Sequence, residues 1–272
     1  MSWNRTARPN KISELHLESV RNNLQALFDS GKIPQAVLFA GPKGTGKTSS
    51  SRIIGAMLNE AKNAANVETT FVKKAKKTNA FVDPATSDDF IQKILSGNSY
   101  VVQEMDAASN RGIDNIRELK ERIALPPQEG NMTVYILDEA HMLTTEAFNA
   151  LLKILEEPPE HVVFILATTE LHKIPDTIAS RCHLVQFTKA SEPEIIAALE
   201  KIVTAEKLKA EPEALSIIAA HADGSFRDAI KLLEVLASDN SLTVEKVQAS
   251  LATTQTQLFI DLAKKERWKS GK

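Results

Sequence analysis

Residues 36–48 join an apolar run to a glycine-rich turn, and they read Ala36-Val37-Leu38-Phe39-Ala40-Gly41-Pro42-Lys43-Gly44-Thr45-Gly46-Lys47-Thr48. The turn has the spacing Gly-x-x-x-x-Gly-Lys-Thr, which binds phosphate where a strand precedes it and a helix follows it. Both flanks fit, since residues 36–40 predict a buried strand and the segment from Ser49 through Leu58 predicts a helix. The context favours a phosphate loop over a glycine turn without a ligand.

The residue types in this loop suit the phosphates of a nucleotide. Glycine lets backbone N–H groups turn inward, and the following helix adds positive potential at its first turn. Lys47 can reach the β- and γ-phosphates, and the Thr48 hydroxyl can bind Mg²⁺. The predicted nucleotide contacts in the loop are Gly41, Gly44, Thr45, Gly46, Lys47, Thr48 and Ser49.

Four more apolar runs lie at residues 100–105, 134–137, 162–167 and 184–187, and helical segments separate most of them. Apolar runs without polar alternation are typical of strands covered on both faces, and the long connections allow crossover helices. The sequence therefore predicts an α/β domain with a parallel sheet, whose carboxyl edge carries the ligand.

Two carboxylates, Asp138 and Glu139, directly follow the run 134–137. This position places them at the carboxyl edge of the sheet, where the magnesium of a bound nucleotide should lie. We expect Asp138 to bind the metal and Glu139 to polarise a water for attack on the γ-phosphate. The alternative for Glu139 is an ordinary surface carboxylate. His141 receives no catalytic role.

Other polar residues have two interpretations each. Thr168-Thr169, at a predicted strand end, could contact the γ-phosphate or the attacking water, or could cap the strand. Arg181 serves either a neighbouring subunit's site or a surface ion pair. Arg227 lies in the first turn of a predicted helix, an unfavourable place for a cation unless phosphate holds it. Cys182 has no evident base partner, so we expect it to pack in the core.

Beyond residue 188 the pattern becomes helical. Ser191-Glu192-Pro193-Glu194 has the form of a capping box with proline in the first turn. Helical periods follow without a β-type run among them. We predict a nucleotide-binding domain over residues 1–188 and a small helical domain over 189–252. An amphipathic stretch, 255–268, marks residues 253–272 as the candidate start of a further domain.

Composition excludes several classes of protein. With 43% hydrophobic residues and a net charge of −2 over 272 residues, the chain is not of the disordered class. Its single cysteine excludes a disulfide scaffold and a multi-cysteine zinc site. No apolar run reaches the roughly 20 residues needed to span a bilayer. We expect a cytoplasmic protein with no membrane partner.

Residues 59–99 show weak periodicity and contain the basic cluster Lys73-Lys74-Ala75-Lys76-Lys77. We interpret this segment as a variable surface insertion. The cluster is either a solvated loop face or a contact for a nucleic-acid phosphate backbone.

The motifs, in their order along the chain, resemble those of AAA+ clamp-loader subunits. They are the phosphate loop, Asp138-Glu139, Thr168-Thr169, Ser180-Arg181-Cys182 and Gly224-Ser225-Phe226-Arg227-Asp228-Ala229. The strings at 106–114 and 149–159 resemble, more narrowly, the gamma/tau family of bacterial DNA polymerase III. The resemblance implies an ATPase core, a helical lid and a following collar, in one subunit of a ring that opens a sliding clamp and loads it onto primed DNA.

The resemblance also implies residue roles. Lys47 and Thr48 would bind phosphate and Mg²⁺, Asp138 would bind Mg²⁺, and Glu139 would activate water. Thr169 matches the position called sensor 1.

Three further positions match the family's pattern. Arg227 matches sensor 2, a lid arginine that contacts the γ-phosphate. Arg181 matches the arginine finger that completes the adjacent subunit's site in trans. Arg8 and Pro9 match an N-terminal Arg-Pro near the adenine. The implied ligands are ATP and Mg²⁺, and the implied partners are the delta and delta-prime subunits, further gamma/tau copies, the sliding clamp and primed DNA.

Two departures bear on these expectations. The family usually carries zinc-binding cysteines between the phosphate-loop helix and the 106–114 string, whereas residues 59–99 contain none. We therefore predict no bound zinc. Arg8-Pro9 is followed by Asn10-Lys11-Ile12 rather than the usual Val-Gly-Gln stretch. The resemblance therefore implies phosphate binding more strongly than it implies selectivity for adenine.

Two other functions stay open at this point. A non-hydrolysing subunit resembling the delta-prime stator would offer its arginine to a neighbour, but intact Lys47-Thr48 and Asp138-Glu139 argue against it. Another AAA+ machine, such as a Holliday-junction helicase or an initiator, would share the nucleotide site but not the 106–114 string.

Overall fold

The computed structural model describes residues 2–74, 79–237 and 239–252. The chain divides into two compact units, Arg8–Lys189 and Met1–Ala7 with Ala190–Lys272. The second unit is described as far as residue 252, so the stretch 255–268 and the candidate domain start at 253–272 lie outside the described residues. None of the described helices is long and apolar enough to cross a membrane.

A parallel sheet organises the first unit. Its strands are β1 (Ala36–Ala40), β2 (Val102–Asp106), β3 (Thr133–Asp138), β4 (Val162–Thr168) and β5 (His183–Gln186). They lie in the order β2-β3-β4-β1-β5, and every neighbouring pair is parallel. All residues of β1 and β4 are buried, as expected for strands covered on both faces. The predicted parallel α/β sheet is confirmed.

Helices alternate with the strands. The α-helices are α1 (Trp3–Thr6), α2 (Glu18–Ser30), α3 (Lys47–Asn59), α4 (Ala64–Val67), α5 (Asp89–Ser96), α6 (Ile113–Arg122), α7 (Thr145–Glu156), α8 (Asp176–Ala179), α9 (Glu192–Ala205), α10 (Pro212–His221), α11 (Phe226–Leu236) and a last helix at 244–252. Short 3₁₀ turns cover Ile12–Glu14, Ala61–Asn63, Ala140–Met142 and Leu171–Lys173, and a π-helical turn covers Glu68–Val72.

The main core lies between the sheet and helices α6 and α7. Leu151 of α7 and Ile116 of α6 are fully buried in one cluster with alternate residues of β1, β3 and β4. Tyr135 and Phe164 stack within it, with ring centroids 5.7 Å apart. Burial of this face fixes the register between neighbouring strands, and the carboxyl ends of the strands therefore lie at one edge of the sheet.

The segment 59–99 is more buried than a surface insertion, which corrects the expectation from sequence. Phe81 packs edge-on against Phe28 of α2, with centroids 5.4 Å apart. The fully buried Asn63 donates from Nδ2 to the carbonyls of Met57 (2.8 Å) and Val82 (2.9 Å), and its Oδ1 accepts from the Val82 N–H at 2.9 Å. Its helices are short, which is why periodicity missed them.

The basic cluster in this segment is described only in part. Lys73 pairs with Glu68 at 3.0 Å, with both side chains more than half exposed. Residues 75–77 lie outside the described residues. The choice between a solvated face and a phosphate contact therefore stays open.

The second unit packs α9, α10 and α11 with the N-terminal residues. Ser191 and Glu194 form the predicted capping box, with the Glu194 carboxylate accepting from the Ser191 N–H at 2.9 Å. Ser2 Oγ and the Trp3 N–H donate to Glu234 of α11 at 2.8 and 3.1 Å, which ties the N-terminus to this unit.

The second unit also contains a small parallel sheet, formed by β6 (Lys209–Ala210) and β7 (Ser241–Leu242). The expectation of a region without strands was wrong in this respect. Strands of two residues are too short to show an alternating pattern.

Candidate nucleotide site

The phosphate loop connects β1 directly to α3, as predicted. Two of its glycines are required by geometry. Gly41 has φ +154°, and a Cβ there would lie 2.1 Å from the carbonyl oxygen of Phe187. Gly46 precedes α3 with a φ of 101°, a backbone conformation that residues with a side chain rarely adopt. Thr45 braces the loop, since its hydroxyl donates to the Pro42 carbonyl at 2.8 Å.

The Lys47 ammonium lies inside this loop. Lys47 is the first residue of α3 and is buried. Its Nζ donates to the carbonyls of Gly41 and Pro42 at 2.7 and 2.8 Å. Burial lowers the pKa of Lys47, while the carboxylates of Glu139 and Asp138 act in the opposite direction. A buried cation ringed by loop backbone is suited to phosphate oxygens, which would give it full charge compensation.

Thr48 and Asp138 meet between α3 and β3. The Thr48 hydroxyl donates to Asp138 Oδ2 at 3.2 Å, and the Glu139 N–H donates to Asp138 Oδ1 at 2.9 Å. Burial raises the pKa of Asp138, and these two hydrogen bonds oppose that rise. Mg²⁺ commonly takes one or two protein oxygens and fills its shell with water and phosphate oxygens. This pair of adjacent oxygen donors fits that chemistry.

Glu139 follows β3 and faces the end of β4. The Thr169 hydroxyl donates to its Oε2 at 3.0 Å. The two residues can meet because Leu137 is level with Leu166 in the parallel register, so that β3 and β4 end at the same edge. The backbone of Glu139 is left-handed (φ 48°, ψ 43°), which is unusual for a residue with a side chain. A specific side-chain partner and a special backbone favour a role in the site over an ordinary surface carboxylate.

The structure brings a further residue into this cluster. His141, which carried no predicted role, has a side chain only 6% exposed. Its Nδ1 lies 3.0 Å from Thr168 Oγ1 and 3.5 Å from Glu139 Oε2, while Nε2 lies 3.2 Å from Glu170 Oε1. No local pattern could have shown this, because the partners come from the end of another strand.

Thr168 and Thr169 have different environments. Thr168 is fully buried, and its hydroxyl accepts from the Glu170 N–H at 3.0 Å in the manner of a strand cap. Thr169 instead contacts Glu139. The capping alternative is thus confirmed for Thr168, and a contact of Thr169 with the γ-phosphate or the attacking water stays a prediction.

Arg181 lies after α8 and pairs with its own chain. Its Nη2 is 2.5 Å from Glu156 Oε1, and its Nη1 donates to the Thr177 carbonyl at 2.7 Å. The two charged side chains are 34% and 49% exposed. An ion pair this exposed contributes roughly 0–1 kcal/mol, so another anion can replace Glu156 at little cost.

The remaining predicted residues are described by their positions in the fold. Arg227 is exposed in the first turn of α11, in the second unit, and Ser225 caps that turn by accepting from the Asp228 N–H at 3.2 Å. Arg8 and Pro9 begin the first unit and are half-buried. Ser49 is half-buried in the first turn of α3.

Cys182 is the one cysteine of the chain. It packs against the core cluster between the sheet and helices α6 and α7. Burial raises the pKa of its thiol to about 11, and a thiol that is protonated near neutral pH is a poor nucleophile. Both observations agree with the expected packing role.

A phosphate loop after β1, carboxylates after β3 and a threonine after β4 define an AAA+ type of P-loop nucleotide-binding domain. Sequence comparison places the chain more narrowly. A family model described as "DNA polymerase III, delta subunit" matches residues 17–191, and one described as "DNA polymerase III clamp loader subunit, ATPase lid domain" matches residues 194–234. The chain belongs to the family of DNA polymerase III clamp-loader subunits.

Curated relatives agree with this assignment. The chain is 41% identical to the DNA polymerase III subunit tau of Bacillus subtilis over 260 residues, which cover 94% of this chain and 43% of the relative. It is 36% identical to the subunit tau of Escherichia coli over 234 residues, covering 85% of this chain and 34% of that one. The resemblance to the gamma/tau family is confirmed. The chain spans less than half the length of these relatives.

A solved structure supports the fold. The Thermotoga maritima RuvB Holliday junction branch migration motor superposes with a TM-score of 0.63, covering 91% of this chain and 72% of that chain. The identity is 17%, so this likeness concerns the fold alone.

Proposed function

We propose that the chain is an ATP-hydrolysing subunit of a bacterial replicative clamp loader, which uses ATP binding and hydrolysis to open a sliding clamp and load it on primed DNA. One observation carries the proposal: Lys47, Thr48, Asp138, Glu139 and Thr169 converge at one sheet edge in a chain of the clamp-loader family. A non-hydrolysing subunit has no chemical need for the paired Glu139 and Thr169.

The binding step uses the loop. ATP phosphates would lie against the backbone N–H groups of Gly44, Thr45 and Gly46, and Lys47 would exchange its two loop carbonyls for phosphate oxygens. Thr48 and Asp138 would hold Mg²⁺, which neutralises charge on the β- and γ-phosphates.

The hydrolytic step uses Glu139. Its carboxylate orients a water and accepts a proton as the water oxygen attacks the γ-phosphorus; the bond to the β-phosphate oxygen breaks and ADP leaves. Thr169 holds one carboxylate oxygen by its 3.0 Å hydrogen bond. The other oxygen stays available to the water, so the pair fixes the base without occupying it.

Three arginines would complete the site. We propose that Arg181 leaves Glu156 and stabilises charge on the γ-phosphate of an adjacent subunit. Its position outside its own cluster and the weakness of an exposed ion pair support this role. Arg227, from a unit that matches the ATPase lid domain, would contact the γ-phosphate of its own chain. Arg8 and Pro9 would lie near the adenine.

We propose residues 1–188 as the nucleotide-binding domain, including the segment 59–99, and residues 189–252 as the lid, against which residues 2–7 pack. The partners would be delta, delta-prime and further gamma/tau subunits, the sliding clamp and primed DNA, and the site of action would be the bacterial cytoplasm. The family and the gamma and tau relatives support these assignments.

The test is ATP hydrolysis by the protein reconstituted with the other clamp-loader subunits, with clamp and primed DNA added separately and together. Lys47→Ala serves as the control. We expect strong stimulation only when clamp and DNA are both present. Flat activity in an assembly that still binds ATP and clamp would indicate a stator, and stimulation by DNA alone would indicate a different AAA+ machine.

A further inference from the structure

The buried His141 side chain connects three elements of the nucleotide site. It belongs to the 3₁₀ turn Ala140–Met142 that follows Glu139, and it contacts Thr168 at the end of β4 and Glu170 in the next loop. Glu170 is itself held by Lys173 at 2.7 Å. The imidazole therefore connects the turn after β3 to the end of β4 and to the loop that follows it, through its contacts with Thr168 and Glu170.

The partners indicate which ring nitrogen carries the proton. A carboxylate only accepts hydrogen bonds, so Nε2, 3.2 Å from Glu170, is the donor. The Thr168 hydroxyl already accepts from the Glu170 N–H, which leaves its proton for the Nδ1 lone pair at 3.0 Å. A ring with its proton on Nε2 and its lone pair on Nδ1 thus suits both contacts.

In this arrangement His141 leaves the carboxylate of Glu139 free. Nδ1 lies 3.5 Å from Glu139 Oε2, but its lone pair accepts from Thr168, so among the described residues Thr169 is the hydrogen-bond partner of that oxygen. The left-handed backbone at Glu139 persists only where neighbouring contacts hold it. The contacts of His141, two residues further on, with Thr168 and Glu170 are such contacts.

We propose that His141 is a positioning residue for Glu139, acting by anchoring the strained turn after β3 to Thr168 and Glu170. The inference rests on the proposed function, because it gives Glu139 its task. It deepens that function by naming the group that holds the base in place.

The experiment measures kcat and nucleotide affinity in the reconstituted assembly for His141→Ala, His141→Asn and His141→Gln. Asparagine can replace the Nδ1 contact and glutamine the Nε2 contact. We expect His141→Ala to lower kcat by about 10- to 100-fold, by analogy with the removal of residues that orient the ligands of a catalytic metal. Affinity for ATP should not change, and the Asn or Gln variant should recover part of the rate. His172→Ala is the matched control, since His172 is 75% exposed and lies 3.8 Å from the same Glu170.

A double variant tests the route of the effect. If His141 acts through Glu139, adding His141→Ala to Glu139→Gln causes no further loss of rate. A further loss in that background, an unchanged kcat in His141→Ala, or a parallel loss of affinity and thermal stability without recovery by Asn or Gln would overturn the inference. A wild-type rate in Glu139→Gln would instead overturn the proposed function, so the two failures are distinguishable.

Discussion

The carboxyl edge of the sheet and the segment 59–99 both hold polar side chains in specific contacts, but they satisfy their hydrogen-bonding groups differently. Asn59 uses every hydrogen-bonding position of its amide on backbone groups: Nδ2 donates to Gly55 and Met132, and Oδ1 accepts from Asn131 and Met132. At the edge, by contrast, the carboxylate of Glu139 is held by one oxygen.

This difference distinguishes residues that can act on a ligand from residues that stabilise the fold. Amides saturated by backbone have nothing left to offer a ligand, so they stabilise the fold. A side chain that is held at one atom, or by groups that phosphate can replace, still has hydrogen-bonding positions that a substrate can use. Substitutions at the edge should therefore change rate with little change in stability, and substitutions in the segment 59–99 should do the reverse.

For substitutions within these two regions, the largest expected effect is on rate. Glu139→Gln keeps the shape and the contact to Thr169 but removes the base, so kcat for ATP should fall by about 10²- to 10⁴-fold. Affinity for ATP and the urea midpoint of unfolding should stay at the wild-type values. Single-turnover hydrolysis and nucleotide titration measure both quantities. A loss of stability comparable to the loss of rate would break the comparison.

The next effect is on stability. Asn63→Ala removes the three hydrogen bonds of a fully buried amide, one to the Met57 carbonyl and two to the backbone of Val82, so we expect the free energy of unfolding to fall by about 1–3 kcal/mol. Asn66→Ala is the matched control, because Asn66 makes one exposed contact to the Ala80 carbonyl in the same segment. Urea denaturation measures both variants. Equal stability of the two variants would contradict the structural role of Asn63.

Helix α3 joins the two regions and offers a smaller test. Within the described residues, Ser50 Oγ is the buried side-chain atom that lacks a hydrogen-bond partner, whereas the buried Ser51 donates to the Lys47 carbonyl at 3.0 Å. Ser50→Ala should raise the free energy of unfolding by about 1 kcal/mol, and Ser51→Ala should not. The reverse order of the two variants in urea denaturation would be inconsistent with this packing.

The smallest expected effect is that of a chelator. Among the described residues, no group of three or more His, Cys, Asp or Glu side chains could hold a metal. Because amides and the Phe28–Phe81 contact hold the segment 59–99, we expect EDTA to leave the thermal unfolding midpoint unchanged. Elemental analysis of purified protein should find no zinc, and stoichiometric zinc would overturn the prediction.

The features that local sequence could predict are those with a local cause. The apolar runs predicted all five strands of the main sheet, and the phosphate loop was predictable because glycine, lysine and threonine must be close in sequence to surround a phosphate. The first residues of α10 and α11 also follow from local sequence, because Pro212 favours the first turn of a helix and Ser225 is an N-cap.

Features with a distant cause could not be predicted in this way. The contact of Asn59 with Met132 spans 73 positions, and that of Arg181 with Glu156 spans 25. The environment of His141 depends on the parallel register between β3 and β4, which burial of the whole sheet determines. Such contacts depend on tertiary packing rather than on spacing along the chain.

The most direct test of the account concerns Arg181, which pairs with Glu156 in its own chain although we assign it to a neighbour's site. Arg181→Ala protein and Lys47→Ala protein are each measured alone and then mixed, with assembly verified by sedimentation. Removal of an arginine finger costs about 10³- to 10⁵-fold in rate, so each variant alone should be nearly inactive. Mixing should partly restore ATP hydrolysis, because Lys47→Ala subunits donate intact arginines to Arg181→Ala subunits. Proven mixed assembly without restored hydrolysis would contradict a site completed in trans.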